Sequence, residues 1–323
     1  MTLVERTLLF GIYPGGVTGD DRGGRAAGPP DDPAQVHAAL DELQGRPDRP
    51  FLVRAYVGFE GDRPLDTVAP PEASRYAVRG RLLDLVAQYQ SRSGDVDGYC
   101  AHLRRLVERY GPVTATIQIA EEPNVAGNPN LDGDYPRVAE AVVNGVAAVR
   151  DEAQRRGHHH LRVGFNTTPL FGTAGEFVAD LVSLGGDAFV ADLDYLGLDF
   201  FPDVFRPIAA ADLADTTAWL LRHHRDDVMT PAGLGSLPLH ITEHGWPTGP
   251  QRTRARQAEI VDVIVRTIAA HATTLNITRY THFALRDADS GNDGLFHQFG
   301  LTTDDYGRKP AFDTYRRLVA ELG

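Results

Sequence analysis

The chain has 323 residues, 42% of them hydrophobic and 24% charged, a globular composition with enough length for a large core. Its 32 basic and 44 acidic residues leave a net charge of −12, which argues against a nucleic-acid or anionic-membrane binder. Cys100 is the one cysteine and Lys309 the one lysine, which excludes an intrachain disulfide and a thiolate metal cluster and leaves Schiff-base, pyridoxal-phosphate and P-loop chemistry a single ill-placed candidate in GRKPAF.

Short apolar runs alternate with amphipathic stretches along the chain. The runs are TLLFGIY (7–13), FLVRAYV (51–57), RLLDLVAQY (81–89), VTATIQIA (113–120), LRVGFN (161–166), DYLGLDFF (194–201), LPLHITE (237–243) and ITRYTHFAL (277–285). Most are β-branched or aromatic-rich and nearly continuous in apolar character, as strands covered on both faces are. The third reads equally well as the start of a helix. Between the runs, Leu103, Leu106, Val107 and Tyr110 recur at helical spacing, as do Val138, Val142, Val143, Val146 and Val149, and later Ile260, Val261, Ile264, Val265 and Ile268. A last helix is expected from about Pro310 to Leu322, opening on a first-turn proline. Trp219, on a helical stretch, is expected in the core.

Eight strand-like runs, each followed by a helix-like run, predict a single (β/α)8 barrel domain over residues 1–323. The alternative is an open doubly wound sheet, whose G-x-G-x-x-G turn is missing from GIYPGGVTGDDRGGRAAGPP. Glycine and proline gather at 14–33, 58–72, 245–250 and 287–309, after strands one, two, seven and eight, where barrel loops build the face that carries active sites. No apolar run reaches the ~18 residues of a membrane span. Glu5 and Arg6 interrupt any leader-like segment, so a cytoplasmic chain is expected. The oligomeric state is not legible.

Two acidic positions stand out by location. Glu121 and Glu122 close strand four in QIAEEPN, with Pro123 stopping the strand, and Glu243 closes strand seven in LHITEHGWP. Charged residues at the carboxyl ends of barrel strands read as functional. Strands four and seven stand about three-eighths of the circumference apart in an eight-stranded barrel, so their tips can face each other across the mouth. Two carboxyls facing at about 5 Å are what a retaining glycosidase uses, one as nucleophile and one as acid/base. The competing interpretation is that either glutamate only pairs with an arginine on a neighbouring strand.

EEPN (121–124) resembles the Asn-Glu-Pro signature of clan GH-A glycoside hydrolases, and ITEHGWPTG (241–249) resembles their strand-seven nucleophile motif. Arg54 in FLVRAY matches the arginine that the clan carries on strand two near the nucleophile. The resemblance implies a retaining glycosidase or transglycosidase, with Glu122 as acid/base and Glu243 as nucleophile. It also implies a carbohydrate or small glycoside as substrate, and no cofactor or metal. Arg54 would then keep Glu243 ionised at neutral pH, while a facing carboxylate in a partly dry mouth would raise Glu122. The sequence departs from the clan in three places. Glu121 stands where the clan has Asn, and an ionised carboxylate accepts but cannot donate a hydrogen bond. Phe283 or Leu285 stands in place of the strand-eight Trp, and Phe200 and Phe201 replace a strand-six aromatic hydroxyl. These changes keep two alternatives open, a carbohydrate-binding barrel without turnover and a metal-assisted barrel hydrolase or lyase.

Further substrate-binding candidates follow from position. They are Asn124 after the acid/base, Asn166 ending strand five, Asp199 near the end of strand six, His244 and Trp246 after Glu243, Arg286 with Asp287 at the tip of strand eight, and Tyr13 and Tyr56 in strands one and two. An indole stacks well on a sugar face, which is what Trp246 would offer. His240, Glu243 and His244 spell H-x-x-E-H, but that motif chelates zinc only on a helix, and Pro238, Gly245 and Pro247 frame a strand. A divalent ion held by Glu121, Glu122, His244 and Asp287 is the metal alternative. DADSGNDG (287–294) fails EF-hand spacing at Asn292 and Gln298 and reads as a turn.

Overall fold

All eight apolar runs form strands in the computed structural model, which describes residues 7–61, 68–169 and 173–323. The strands are β1 (Leu9–Tyr13), β2 (Phe51–Phe59), β3 (Arg81–Tyr89), β4 (Thr114–Ile119), β5 (Arg162–Thr167), β6 (Tyr195–Asp199), β7 (Leu239–His244) and β8 (Ile277–Phe283). Each pairs in parallel with its neighbours in chain order, and β1 pairs with both β8 and β2, closing the barrel. Closure brings Gly11 against β2 so tightly that a Cβ there would lie 2.7 Å from the Leu52 Cβ. The segment read as strand or helix start, RLLDLVAQY, is β3. It pairs with β2 without a break from Phe51–Arg81 to Phe59–Tyr89, so the ladder outweighs its helix propensity.

Seven α-helices are described: α1 (Pro33–Gln44), α2 (Val96–Tyr110), α3 (Val138–Arg155), α4 (Thr173–Asp192), α5 (Leu213–His223), α6 (Arg254–His271) and α7 (Pro310–Leu322). Their starts follow local chemistry. Asp32 accepts hydrogen bonds from the amides of Ala34 and Gln35 before Pro33-led α1, Asp95 caps α2 and Thr253 caps α6. The expected helix after every strand fails once. Among the described residues, β2 and β3 are joined by a short strand, Val68–Ala69, and a 3₁₀ turn, Ala73–Tyr76. Pro70 and Pro71 remove the amides that a helix would need there. Residues 62–67 of the expected 58–72 loop, and the start of the chain with Glu5 and Arg6, lie outside the described residues.

The apolar core lies mainly between strands and helices, where Phe10, Tyr280 and Tyr315 pack ring to ring at 5.7–6.1 Å. The barrel interior is different. Arg279 donates to Thr116, Thr116 donates to Asp84, and Asp84 accepts from Arg54, a polar column rising toward the strand tips. Trp219 is half exposed and stacks on His223, contrary to the expected core position. The small stretch of α5 that carries it presents that face to solvent.

Candidate active site

Four carboxyls from the carboxyl ends of β4, β6 and β7 meet one guanidinium from the middle of β2. Arg54, fully buried on β2, donates to Asp84 at 3.1 Å, to Gln118 at 3.0 Å and to Glu243 Oε1 at 3.3 Å, and lies 3.5 Å from Glu121. The Tyr56 hydroxyl, two residues along the same strand, donates to the same Oε1 of Glu243 and accepts from Arg54 Nε at 2.8 Å. Alternation along a strand puts Arg54 and Tyr56 on one face, so both reach inward together.

Local backbone irregularity aims the acids. On β7, pairing with β6 slips between Ile241 and Glu243. The slip lets consecutive side chains both point inward, Thr242 to Asp199 Oδ1 at 2.7 Å and Glu243 to Arg54. At the end of β4, Ala120 and Glu122 have φ of 64° and 43°, left-handed values that cost strain for residues with a Cβ. Between them Glu121 is anchored: its amide donates to Asp132 Oδ2 at 2.7 Å, and its Oε2 accepts from Gln118 at 2.8 Å. The amide of Glu122 donates to Asn166 Oδ1 at 2.9 Å, and the Asn166 amide group donates to Asp199 Oδ2 at 2.6 Å. One oxygen each from Glu121, Glu122 and Asp199 lie within 4.8 Å of one another.

Carboxyls so close cannot all be ionised, because a contact between two of them needs a proton. Glu121 meets both Asp199 and Glu243, and Glu122 meets Asp199. Burial, reinforced by the charges of Asp199 and Glu243, pushes Glu121 and Glu122 well above the usual carboxylate range. Asp199 is raised by burial as well, against the pull of Arg54. Glu243 is pushed up to about 8 by burial and then Asp199, although Arg54 and the Tyr56 hydroxyl pull it down. Arg54 pulls Glu243 toward its ionised form, the direction expected from the sequence, but burial and Asp199 pull the other way, and the one guanidinium is divided among Asp84, Gln118, Glu121 and Glu243. A protonated Glu121 can donate a hydrogen bond, which removes the objection to glutamate at that position.

Of the residues picked out from sequence, Arg54, Tyr56, Glu121, Glu122, Asn166, Asp199 and Glu243 come together in this network. Tyr13 adjoins it, its ring 5.1 Å from that of Tyr56 and its hydroxyl donating to Val17. Asn124 ties the loop after β4 to the loop after β5 through Thr168. Trp246 is buried, donating to the Asp203 carbonyl at 3.2 Å, with Arg252 over its ring. His244 lies on the opposite face of β7, where its Nδ1 pairs with the Tyr280 hydroxyl. Arg286 is clamped by Asp31, Pro29 and Asp304, and Asp287 by Lys309. His244 and Asp287 are thus not brought to Glu121 and Glu122, and the four-residue metal set does not form. Glu121, Glu122 and Asp199 are the one trio among the described residues close enough to share an ion, and their carboxyls are already engaged with one another and with Gln118, Asn166 and Thr242.

Sequence alone does not single out Asp84, Gln118, Thr242 or Asp132. Asp84 and Gln118 carry a faint signal, a polar side chain inside an apolar strand. Asp132 carries none, since its role is to accept from the amides of Tyr89 and Glu121 across two strand ends.

No family model matches the chain, and no curated protein matches it. Solved structures do match, with a shared fold at low identity. A family 39 glycoside hydrolase from the gut symbiont Bacteroides cellulosilyticus WH2 is 16% identical with a TM-score of 0.64, over 98% of this chain and 64% of that one. A beta-glucosidase from Exiguobacterium marinum is 13% identical with a TM-score of 0.62, over 99% of both chains. A Rhizomucor miehei beta-1,3-glucanosyltransferase, an active-site mutant solved with laminaritriose, is 17% identical with a TM-score of 0.58, over 94% of this chain and 96% of that one. The chain spans just under two thirds of the first protein and nearly all of the other two. The barrel described here is the fold that these three structures share.

Proposed function

We propose that the chain is a retaining glycosidase or transglycosidase. The observation that carries this is that Glu122, at the end of β4, has an oxygen within 4.8 Å of one of Asp199, while Glu243 on β7 pairs with Asp199 on β6 and is held by Arg54. The fold of the neighbouring structures supports the same activity class. Ionised Glu243 attacks the anomeric carbon and forms a covalent glycosyl ester while the bond to the leaving oxygen breaks. Glu122, kept protonated by burial and neighbouring acids, gives that oxygen its proton. Glu122 then takes a proton from water, or from an acceptor hydroxyl, which attacks the same carbon and releases Glu243. Tyr56 and Arg54 stabilise the Glu243 carboxylate as it forms and leaves. No step requires a metal or cofactor.

A panel of nitrophenyl glycosides tests the proposal. Release of nitrophenolate is expected for at least one sugar, insensitive to EDTA, and Glu243→Gln should lower it by about 10⁴-fold or more. Proton NMR of the first-formed sugar should show the anomeric configuration of the substrate. An inverted product, or a Glu243→Gln variant as fast as the parent, overturns the assignment.

A further inference from the structure

Aromatic rings leave the carboxyl network in an unbroken series and end in solvent. Tyr56, bonded to Glu243, has its ring 5.1 Å from Tyr13, and Tyr13 is stacked on Phe283 at 5.3 Å with the planes 10° apart. Phe283 meets Phe201 at 6.3 Å, and Phe201 meets Phe205 at 6.4 Å. Phe205 in turn faces Phe296 at 6.3 Å. Phe205 is 61% exposed, more than any other large apolar side chain among the described residues. Half-buried Phe201 and Phe296 flank Phe205, so the series ends in a small apolar edge at the surface.

Both loops that carry the outer rings are braced. After β6, the Asp203 carbonyl accepts from Trp246 and the Asp203 carboxylate from the amide of Ile208, while Arg252 donates to the Val204 carbonyl at 3.4 Å. After β8, the Phe296 carbonyl accepts from the Thr18 hydroxyl at 2.8 Å. Phe205 and Phe296 therefore stand in place before any ligand arrives, which spares the ordering cost of binding.

We propose that this series seats the non-sugar part of the substrate, and that the site takes glycosides with a flat aromatic aglycone. The inference rests on the glycosidase reading and specifies its substrate class. The outward rings are all phenylalanine, with no hydroxyl, indole or amide among them. A second sugar would have to bury hydroxyls there without side-chain partners from these rings, a cost of lost hydrogen bonds. An aryl group asks for none, and the tilted rings, 38° between Phe205 and Phe296, suit offset or edge contacts.

The test compares kcat/KM for the 2-naphthyl and methyl glycosides of the sugar that the panel selects, in the parent, Phe205→Ala and Phe296→Ala. The naphthyl-to-methyl ratio is expected to fall by about tenfold or more in each variant and to be restored by Phe205→Tyr. An unchanged ratio, or a parent that turns over the corresponding disaccharide faster than the naphthyl glycoside, overturns the proposal. Fluorescence titration with free 2-naphthol separates the two levels. Naphthol binding that weakens about tenfold in Phe205→Ala supports an aromatic seat even if no glycoside is cleaved, and the glycosidase reading then fails alone. Naphthol binding that ignores Phe205 overturns the seat itself.

Discussion

Two buried charged regions sit at the same end of the barrel and follow opposite accounting. Around β8 and its loop the charges match one to one: Lys309 with Asp287 at 2.7 Å, and Arg286 with Asp31 at 2.9 Å. Remaining valences there are satisfied by Thr248, Ser290, the amide of Gly300 and the carbonyls of Pro29 and Asp304. At the tips of β4, β6 and β7, Glu121, Glu122, Asp199 and Glu243 gather round the single Arg54, which Asp84 also claims. A balanced buried pair fixes structure. An unbalanced group must take up protons, and those protons can then be moved.

The sharpest way to break this contrast is to remove the cation from each region. Arg54→Met is expected to lower glycoside turnover by about 10³-fold, through loss of the charge that faces Glu243. Lys309→Met should instead destabilise the fold by about 3–5 kcal/mol in chemical denaturation, because Asp287 is left buried and alone, with kcat per folded molecule unaltered. Adding Asp287→Leu should recover most of that stability. If Lys309→Met slows turnover by tenfold in the folded fraction, the two regions are one site.

A smaller effect sharpens the proton count. Tyr56→Phe removes a hydrogen bond that pulls Glu243 down from its raised value. The acid limb of kcat/KM should move to higher pH, with a loss of about tenfold to a hundredfold at neutral pH, the worth of one hydrogen bond to a charged group. A Tyr56→Phe profile superimposable on the parent's would leave Tyr56 outside the chemistry.

A last effect is on stability. Folded Glu243 keeps its proton to about 8, against 4.5 for an ordinary glutamate. Between those values the folded chain binds more protons than the unfolded chain, so its stability falls as pH rises through about 8. Glu243→Gln should flatten that slope, and urea midpoints measured from pH 5 to 9 would show it. A parent whose midpoint rises over that range contradicts the raised carboxyl.

Most of the architecture was legible because its signal is repetitive. Continuous apolar runs of strand length, separated by periodic helices, leave few alternatives to a closed parallel barrel, and the bounds of α7 follow from one proline. That the described part of the β2–β3 connection holds no α-helix was written in Pro70 and Pro71, yet the regularity of the surrounding units hides it. Within the candidate site, strand ends pointed to Glu121, Glu122, Asn166, Asp199 and Glu243, and the resemblance of FLVRAY pointed to Arg54. The slip on β7 and the left-handed residues at 120 and 122 were not legible, because register and φ are set by neighbouring strands. Those two irregularities decide which consecutive side chains turn inward, so they also decide how many acids share one arginine. The proton balance of Glu243 follows from that number and not from any motif.

The sole lysine has a practical corollary. Its amine is sealed beside Asp287 and Thr248, 1% exposed, while the surface cations of α6 and α7 are guanidinium groups such as Arg266, Arg316 and Arg317. Succinimidyl dyes, glutaraldehyde and amine-coupled resins therefore find no side-chain amine on the native surface. Labelling at residue 309 would report that the loop after β8 has come undone.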